Sequence, residues 1–167
     1  MTVARRRRKR PLGSALCGVA LALVVSLGVT PLVSASTTER IVIDPRTGLA
    51  IHGFDPVAYF TDSTPSTGQA ELELPYGGAV WRFRNAGNRA AFAAHPDVYM
   101  PQFGGYDPVV LARGVTMPGH PGLWLIVGDR LYMFHTREAR DAFSADPAVA
   151  TDMAQANWRA LRPTLVP

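Results

Sequence analysis

Polar and apolar residues alternate over Glu71-Leu72-Glu73-Leu74-Pro75-Tyr76, the period of a strand with one buried face. Gly77-Gly78 follows, a pair able to take the positive φ of a tight hairpin turn. Ala79 to Arg84 returns, with Val80, Trp81 and Phe83 as its apolar weight. Asn85 then predicts a cap for a helix over 86–94, where Ala90, Ala91 and Phe92 favour burial on one side, and Pro96 ends it. The plan recurs further on. Leu123 to Val127 reads as a strand, Gly128-Asp129 as its turn and Arg130 to His135 as the return; Thr136 caps a helix ending near Pro147. An Asp-Pro pair precedes each hairpin. Its carboxylate can cap free N–H groups while Pro pre-sets the first helical turn. Asp55-Pro56 thus opens a short helix over 56–60, and Asp107-Pro108 opens another through Val109, Val110, Leu111 and Ala112, closed by Gly114. Residues 149–161 predict a last amphipathic helix carrying Met153, Ala156, Trp158 and Leu161, stopped by Pro163.

The recurrence extends to individual residues. Gly53-Phe54-Asp55-Pro56-Val57 returns as Gly105-Tyr106-Asp107-Pro108-Val109. Trp81, Phe83, Arg89, Phe92 and Pro96 return as Tyr132, Phe134, Arg140, Phe143 and Pro147. A period of about 50 residues means one supersecondary unit used more than once. A lone hairpin with its helix cannot bury its apolar face, so the copies must pack on each other. The expected fold is α+β: two tandem pseudo-equivalent units (short helix, β-hairpin, helix) packed as one domain, plus a C-terminal helix. The expected boundaries are a linker over 36–52 and a domain over 53–162. Within it lie repeat 1 (53–100), repeat 2 (105–147) and the terminal helix (149–161). Ile41-Val42-Ile43 reads as either a first strand or part of the linker.

The N-terminal stretch changes the meaning of the composition. Arg5 to Arg10 is a basic block, Leu12 to Val33 an uncharged apolar run, and Val33-Ser34-Ala35 ends as a signal-peptidase site does. Residues 1–35 are therefore read as a signal peptide, with Ser36 as the mature N-terminus. The alternative is an uncleaved membrane anchor, since about 20 apolar residues can span a bilayer. Either way the rest is exported, to the periplasm or the medium. The chain of 167 residues has a formal charge of +4, but 1–35 holds six of its 17 basic residues and none of its 13 acidic ones. The remainder carries 11 basic and 13 acidic residues, a net of −2. Scattered charge of this kind gives no footprint for nucleic acid. The single cysteine, Cys17, falls inside the apolar run, so the exported part can form no disulfide, thiolate metal site or cysteine nucleophile. Arginine outnumbers lysine 16 to one, which suggests a GC-rich genome.

Several segments together resemble the YHS domain family in an exported two-copy form. They are Gly53-Phe54-Asp55-Pro56-Val57-Ala58-Tyr59-Phe60, Trp81-Arg82-Phe83, Asn88-Arg89, Phe92, Pro96, Tyr99 and Pro101-Gln102-Phe103-Gly104-Gly105-Tyr106. The resemblance covers nearly all of 50–160 and implies a small α+β module, often linked with metal handling where members carry cysteines. Gly105-Tyr106-Asp107-Pro108 stands where many exported relatives look to have Gly-Tyr-Cys-Ala. That departure removes the one soft ligand the family pattern would supply.

Candidate chemistry is sparse. Asp55 and Asp107 are the only repeated acids, and they read either as helix caps or as paired carboxylates for a hard cation. The histidines His52, His95, His120 and His135 have no His-x-His or His-x3-His spacing, and none is duplicated between copies. With Met100, Met117 and Met133 they could serve only an asymmetric site assembled from separate loops. The residues singled out for a metal are Asp55, Asp107, His52 and His135. Gln102, Phe103, Gly104, Gly105 and Tyr106 join the copies, and their glycines allow close backbone approach. That joint is either the wall of a small-ligand cleft or a connector whose aromatics fill the core. No nucleophile elbow, phosphate loop, dinucleotide fingerprint or His-Glu-x-x-His occurs, which argues against an enzyme. No cofactor is required, and a metal ion is the one that stays open. The leading expectation is an exported, non-catalytic bacterial binding module with a metal ion or small ligand at the seam between repeats. The alternative is a structural or protein-interaction domain whose partner is an envelope protein.

Overall fold

A computed structural model describes residues 39–166. The signal or anchor read over 1–35, Cys17 and the proposed terminus at Ser36 lie outside the described residues. The described chain is mixed α+β, with six α-helices and two antiparallel two-stranded sheets. In order these are α1 (Ala58–Thr61), β1 (Gln69–Tyr76), β2 (Ala79–Phe83), α2 (Ala86–Ala94) and α3 (Pro96–Tyr99), then α4 (Pro108–Leu111), β3 (His120–Val127), β4 (Arg130–Phe134), α5 (Arg137–Ala145) and α6 (Pro147–Leu161). Among the described residues no helix is long and apolar enough to cross a membrane.

Local chemistry accounts for most boundaries. Both hairpin turns hold two residues at positive φ, Gly77 (64°) with Gly78 (90°) and Gly128 (58°) with Asp129 (57°), the twist that antiparallel neighbours need. Asn85 accepts from the Asn88 N–H and Thr136 from the Ala139 N–H, so both read caps form. α6 starts two residues earlier than read, because Asp146 caps Val149 and Pro147 occupies the first turn. β1 and β3 begin before the read strands, at Gln69 and His120, whereas β2 and β4 end one residue sooner than read, at Phe83 and Phe134. β1 and β3 each shift register beyond their regular pairs, between Gln69 and Glu73 and between His120 and Trp124.

Two apolar clusters hold the domain. In one, Trp81 and Phe83 pack on Phe92 with ring centroids 5.0 and 5.2 Å apart. In the other, Tyr132 and Phe134 pack on Phe143 at 4.8 and 5.2 Å. The clusters interpenetrate: Leu131 and Met133 of β4 belong to the first, and Val42 and Phe103 to the second. The short helices lean in different directions. Tyr59 of α1 is fully buried, donates its hydroxyl to the Pro121 carbonyl at 3.0 Å and meets Trp124 edge-on. Leu111 of α4 is buried against α6, where Asn157 donates to its carbonyl.

One boundary needs correction. Residues 36–52 read as a linker, yet the described part of that segment belongs to the domain. Ile41, Val42, Leu49, Ala50 and Ile51 are buried. Ile43 pairs with Ala50, and the Ala50 N–H donates to the Val80 carbonyl, which lays this stretch along β2. Short apolar runs around the Asp44–Thr47 turn have no long period to announce them, and their partners, the Val80 and Gly104 carbonyls, come from other parts of the chain.

Candidate functional site

The two Asp-Pro sites show what the repeated residues do. Asp55 is fully buried; its Oδ1 accepts from the Val57 and Ala58 N–H groups, and its Oδ2 from the Arg84 N–H and the Asn88 side chain. Asp107 is equally buried, with Oδ1 accepting from Val109 and Val110 N–H and Oδ2 from His135 N–H. Asp107 therefore caps α4, whereas Asp55 holds the turn that leads into α1, which starts at Ala58 rather than Pro56; each carboxylate also ties its segment to the end of the hairpin's return strand.

Ahead of each aspartate lies a tight left-handed turn. Ile51, His52 and Gly53 have φ of 43°, 57° and 78°; Phe103, Gly104 and Gly105 have 55°, 65° and 92°. The last residue of each turn accepts from a glycine N–H further on, Gly68 to the Gly53 carbonyl and Gly119 to the Gly105 carbonyl. A side chain at Gly68 or Gly119 would strike the partner strand, with Cβ 2.4 Å from Arg82 or 2.5 Å from Met133. Neither glycine was marked by the residue-by-residue recurrence.

The histidines are dispersed. His52 is half exposed and pairs with Asp44 at 3.4 Å. The Asp44 carboxyl is held below its ordinary pKa, first by the Arg46 N–H. His135 sets its Nδ1 3.1 Å from the Pro118 carbonyl, and His120 Nδ1 accepts from the Gly122 N–H. His95 precedes α3 without a side-chain cap bond. Among the described residues no group of three or more His, Cys, Asp or Glu comes together as a metal would need. The Tyr59 phenol is pushed well up from its usual pKa by burial and then by the charge of Asp55.

The segment 102–104 faces an open cleft of about 780 Å3. Gln102, Phe103 and Gly104 line it; Gly105 and Tyr106 do not. Tyr106 is instead fully buried and donates its hydroxyl to the Glu39 carbonyl at 2.7 Å. Gly104 has a structural duty there. Its carbonyl accepts from the Val42 N–H at 2.8 Å, and a Cβ on it would lie 1.9 Å from the Arg40 carbonyl. Only glycine lets the 40–42 segment approach so closely. That approach carries Arg40 to the cleft rim. Tyr76 and Gly77 from the first hairpin, Arg130 from the second, and Gln155, Trp158 and Arg159 from α6 complete the wall. Of the residues beyond 102–104, Met100 was named from sequence only as a soft ligand and Trp158 only on the apolar face of the last helix, and Arg40, Arg130 and Arg159 were not singled out for a site. Those three arginines come from three separate parts of the chain, so no spacing could have linked them.

No protein-family model matches the chain, and no curated protein or solved structure is significantly similar to it.

Proposed function

We propose that the chain is an exported, non-catalytic binding module of the YHS type, whose ligand is a small molecule held at the seam between its halves. The observation that carries this reading is the cleft of about 780 Å3 walled by the Gln102–Gly104 joint, both hairpins and α6. Its size falls within the roughly 300–1,000 Å3 of small-molecule sites. Sequence left a cation and a small molecule both open, and the donors favour the second. The Asp55 and Asp107 oxygens already accept from backbone N–H groups. A cation would have to compete with those bonds, loosening the cap of α4 and the turn into α1. The family assignment rests on the motif residues from Gly53 to Phe60 and from Pro101 to Tyr106. Export rests on the N-terminal pattern.

The test is native mass spectrometry of protein recovered gently from the exported fraction. A bound small molecule is expected, and Gln155→Trp, which fills the α6 wall of the cleft, should abolish it. Absence of any adduct, together with a melting temperature unmoved by metabolite extracts, would overturn the reading. A protein-interaction role is the second reading. Val149 and Met153, one turn apart on α6 and 57% and 52% exposed, favour it. Capture of an envelope protein that Met153→Asp abolishes, with the cleft empty, would favour it over the first.

A further inference from the structure

The cleft has a strong charge bias. Arg40, Arg130, Arg159 and Arg162 line it, against one acidic residue, Asp97. Residues 36–167 are net negative, with 11 basic and 13 acidic side chains, so four of the 11 cations gather in one concavity. Among the described residues, none of the four guanidinium groups forms an ion pair with a carboxylate. Two are held by neutral backbone instead. Arg40 donates its Nε to the carbonyls of Arg162 and Leu165 at 3.3 and 3.2 Å, and Arg130 donates an Nη to the Asp97 carbonyl at 3.0 Å. Those bonds fix direction and leave the charge uncompensated. Arg159 and Arg162 stand one turn apart where α6 ends, both exposed.

A bland reading assigns Arg159 and Arg162 to the negative end of the helix dipole. It does not account for Arg40 and Arg130, which arrive from two other parts of the chain. Apolar surface adjoins the charges. Trp158 is half-buried, packs edge-on against Phe103 at 6.3 Å and lies on the same wall as Tyr76 and Met100. Guanidinium forks match carboxylate, sulfonate and phosphate oxygens two at a time, and a concave basic site concentrates anions from solution. The volume far exceeds that of a bare inorganic anion. Resting on the small-ligand reading above, we propose that the ligand is a small organic anion. Its acidic group meets the four arginines and its apolar body lies against Trp158 and Tyr76.

Two dyes with one ring framework test this on the purified protein: anilinonaphthalene sulfonate, which is anionic, and N-phenylnaphthylamine, which is neutral. The anion should bind saturably at one site per chain, more weakly as ionic strength rises, and much more tightly than the neutral dye. The double variant Arg159→Gln/Arg162→Gln should weaken it by about tenfold or more, the loss expected for charge-assisted bonds, without lowering the melting temperature. Arg113→Gln, exposed and away from the cleft, should leave it unchanged. Equal binding of both dyes, indifferent to the double variant, would overturn the anion assignment and leave the small-ligand reading standing. Saturable binding of neither dye would overturn both.

Discussion

Asp55 and Asp107 stand at matching points of two similar stretches, yet the first carboxylate accepts four hydrogen bonds and the second three. The missing donor is a side chain. Asn88 reaches Asp55 from α2, whereas the matching position in α5 is Ala139, which packs against the second apolar cluster. The first carboxylate thus gains a side-chain donor, whereas the second is held by backbone N–H groups alone. The ends of the two halves differ for a related reason. Pro96 and Pro147 both begin helices, but Pro101 stops α3 after four residues by forcing Met100 into an extended conformation. α6 meets no such barrier for 15 residues. The stretch after Pro96 therefore ends at the 102–104 segment and the stretch after Pro147 runs on as a long helix, and both line the cleft.

The comparison breaks most visibly in the cores. Phe92→Ala and Phe143→Ala should each cost about 3–5 kcal/mol in urea unfolding. Phe92 should cost more, because it also meets Tyr76 edge-on at 5.8 Å. Since Leu131 and Met133 of β4 sit in the first cluster, each variant should still unfold in a single transition. Two separate transitions would show that the halves fold independently.

The caps should come next. Asp55→Ala should cost about 3 kcal/mol and Asp107→Ala about 2 kcal/mol, because buried N–H groups lose a charged acceptor. Asn88→Ala should cost about 1 kcal/mol in the parent and almost nothing beside Asp55→Ala. Full additivity in that double-mutant cycle would mean that Asn88 acts elsewhere.

The smallest effect concerns the short helices. Tyr59→Phe should cost about 1 kcal/mol by removing the bond to the Pro121 carbonyl. The raised pKa of Tyr59 also predicts a pH response. The folded state keeps the phenol neutral, so its contribution is whole below pH about 10, the ordinary tyrosine value. It is lost as pH rises above that, where the unfolded chain ionises first. Stability measured from pH 8 upward should fall less steeply in Tyr59→Phe. An unchanged alkaline slope would place Tyr59 in contact with solvent.

Much of this molecule was legible as sequence. Asn85, Thr136 and Asp107 act on N–H groups two or three residues away, and the glycines of the hairpin turns act on their own φ. Interactions that short are written in adjacent letters, so the helix over 86–94 and both hairpin turns could be placed beforehand. The candidate joint was legible in part. Gly104 signalled a close approach, but not that the Arg40 carbonyl is what approaches. The burial of 41–42 and 49–51 and the meeting of Arg40, Arg130, Arg159 and Arg162 were decided only in three dimensions. Those residues share no period and no motif. Their proximity depends on the packing of a strand segment, a hairpin and the last helix, which sum over many weak contacts between distant parts of the chain.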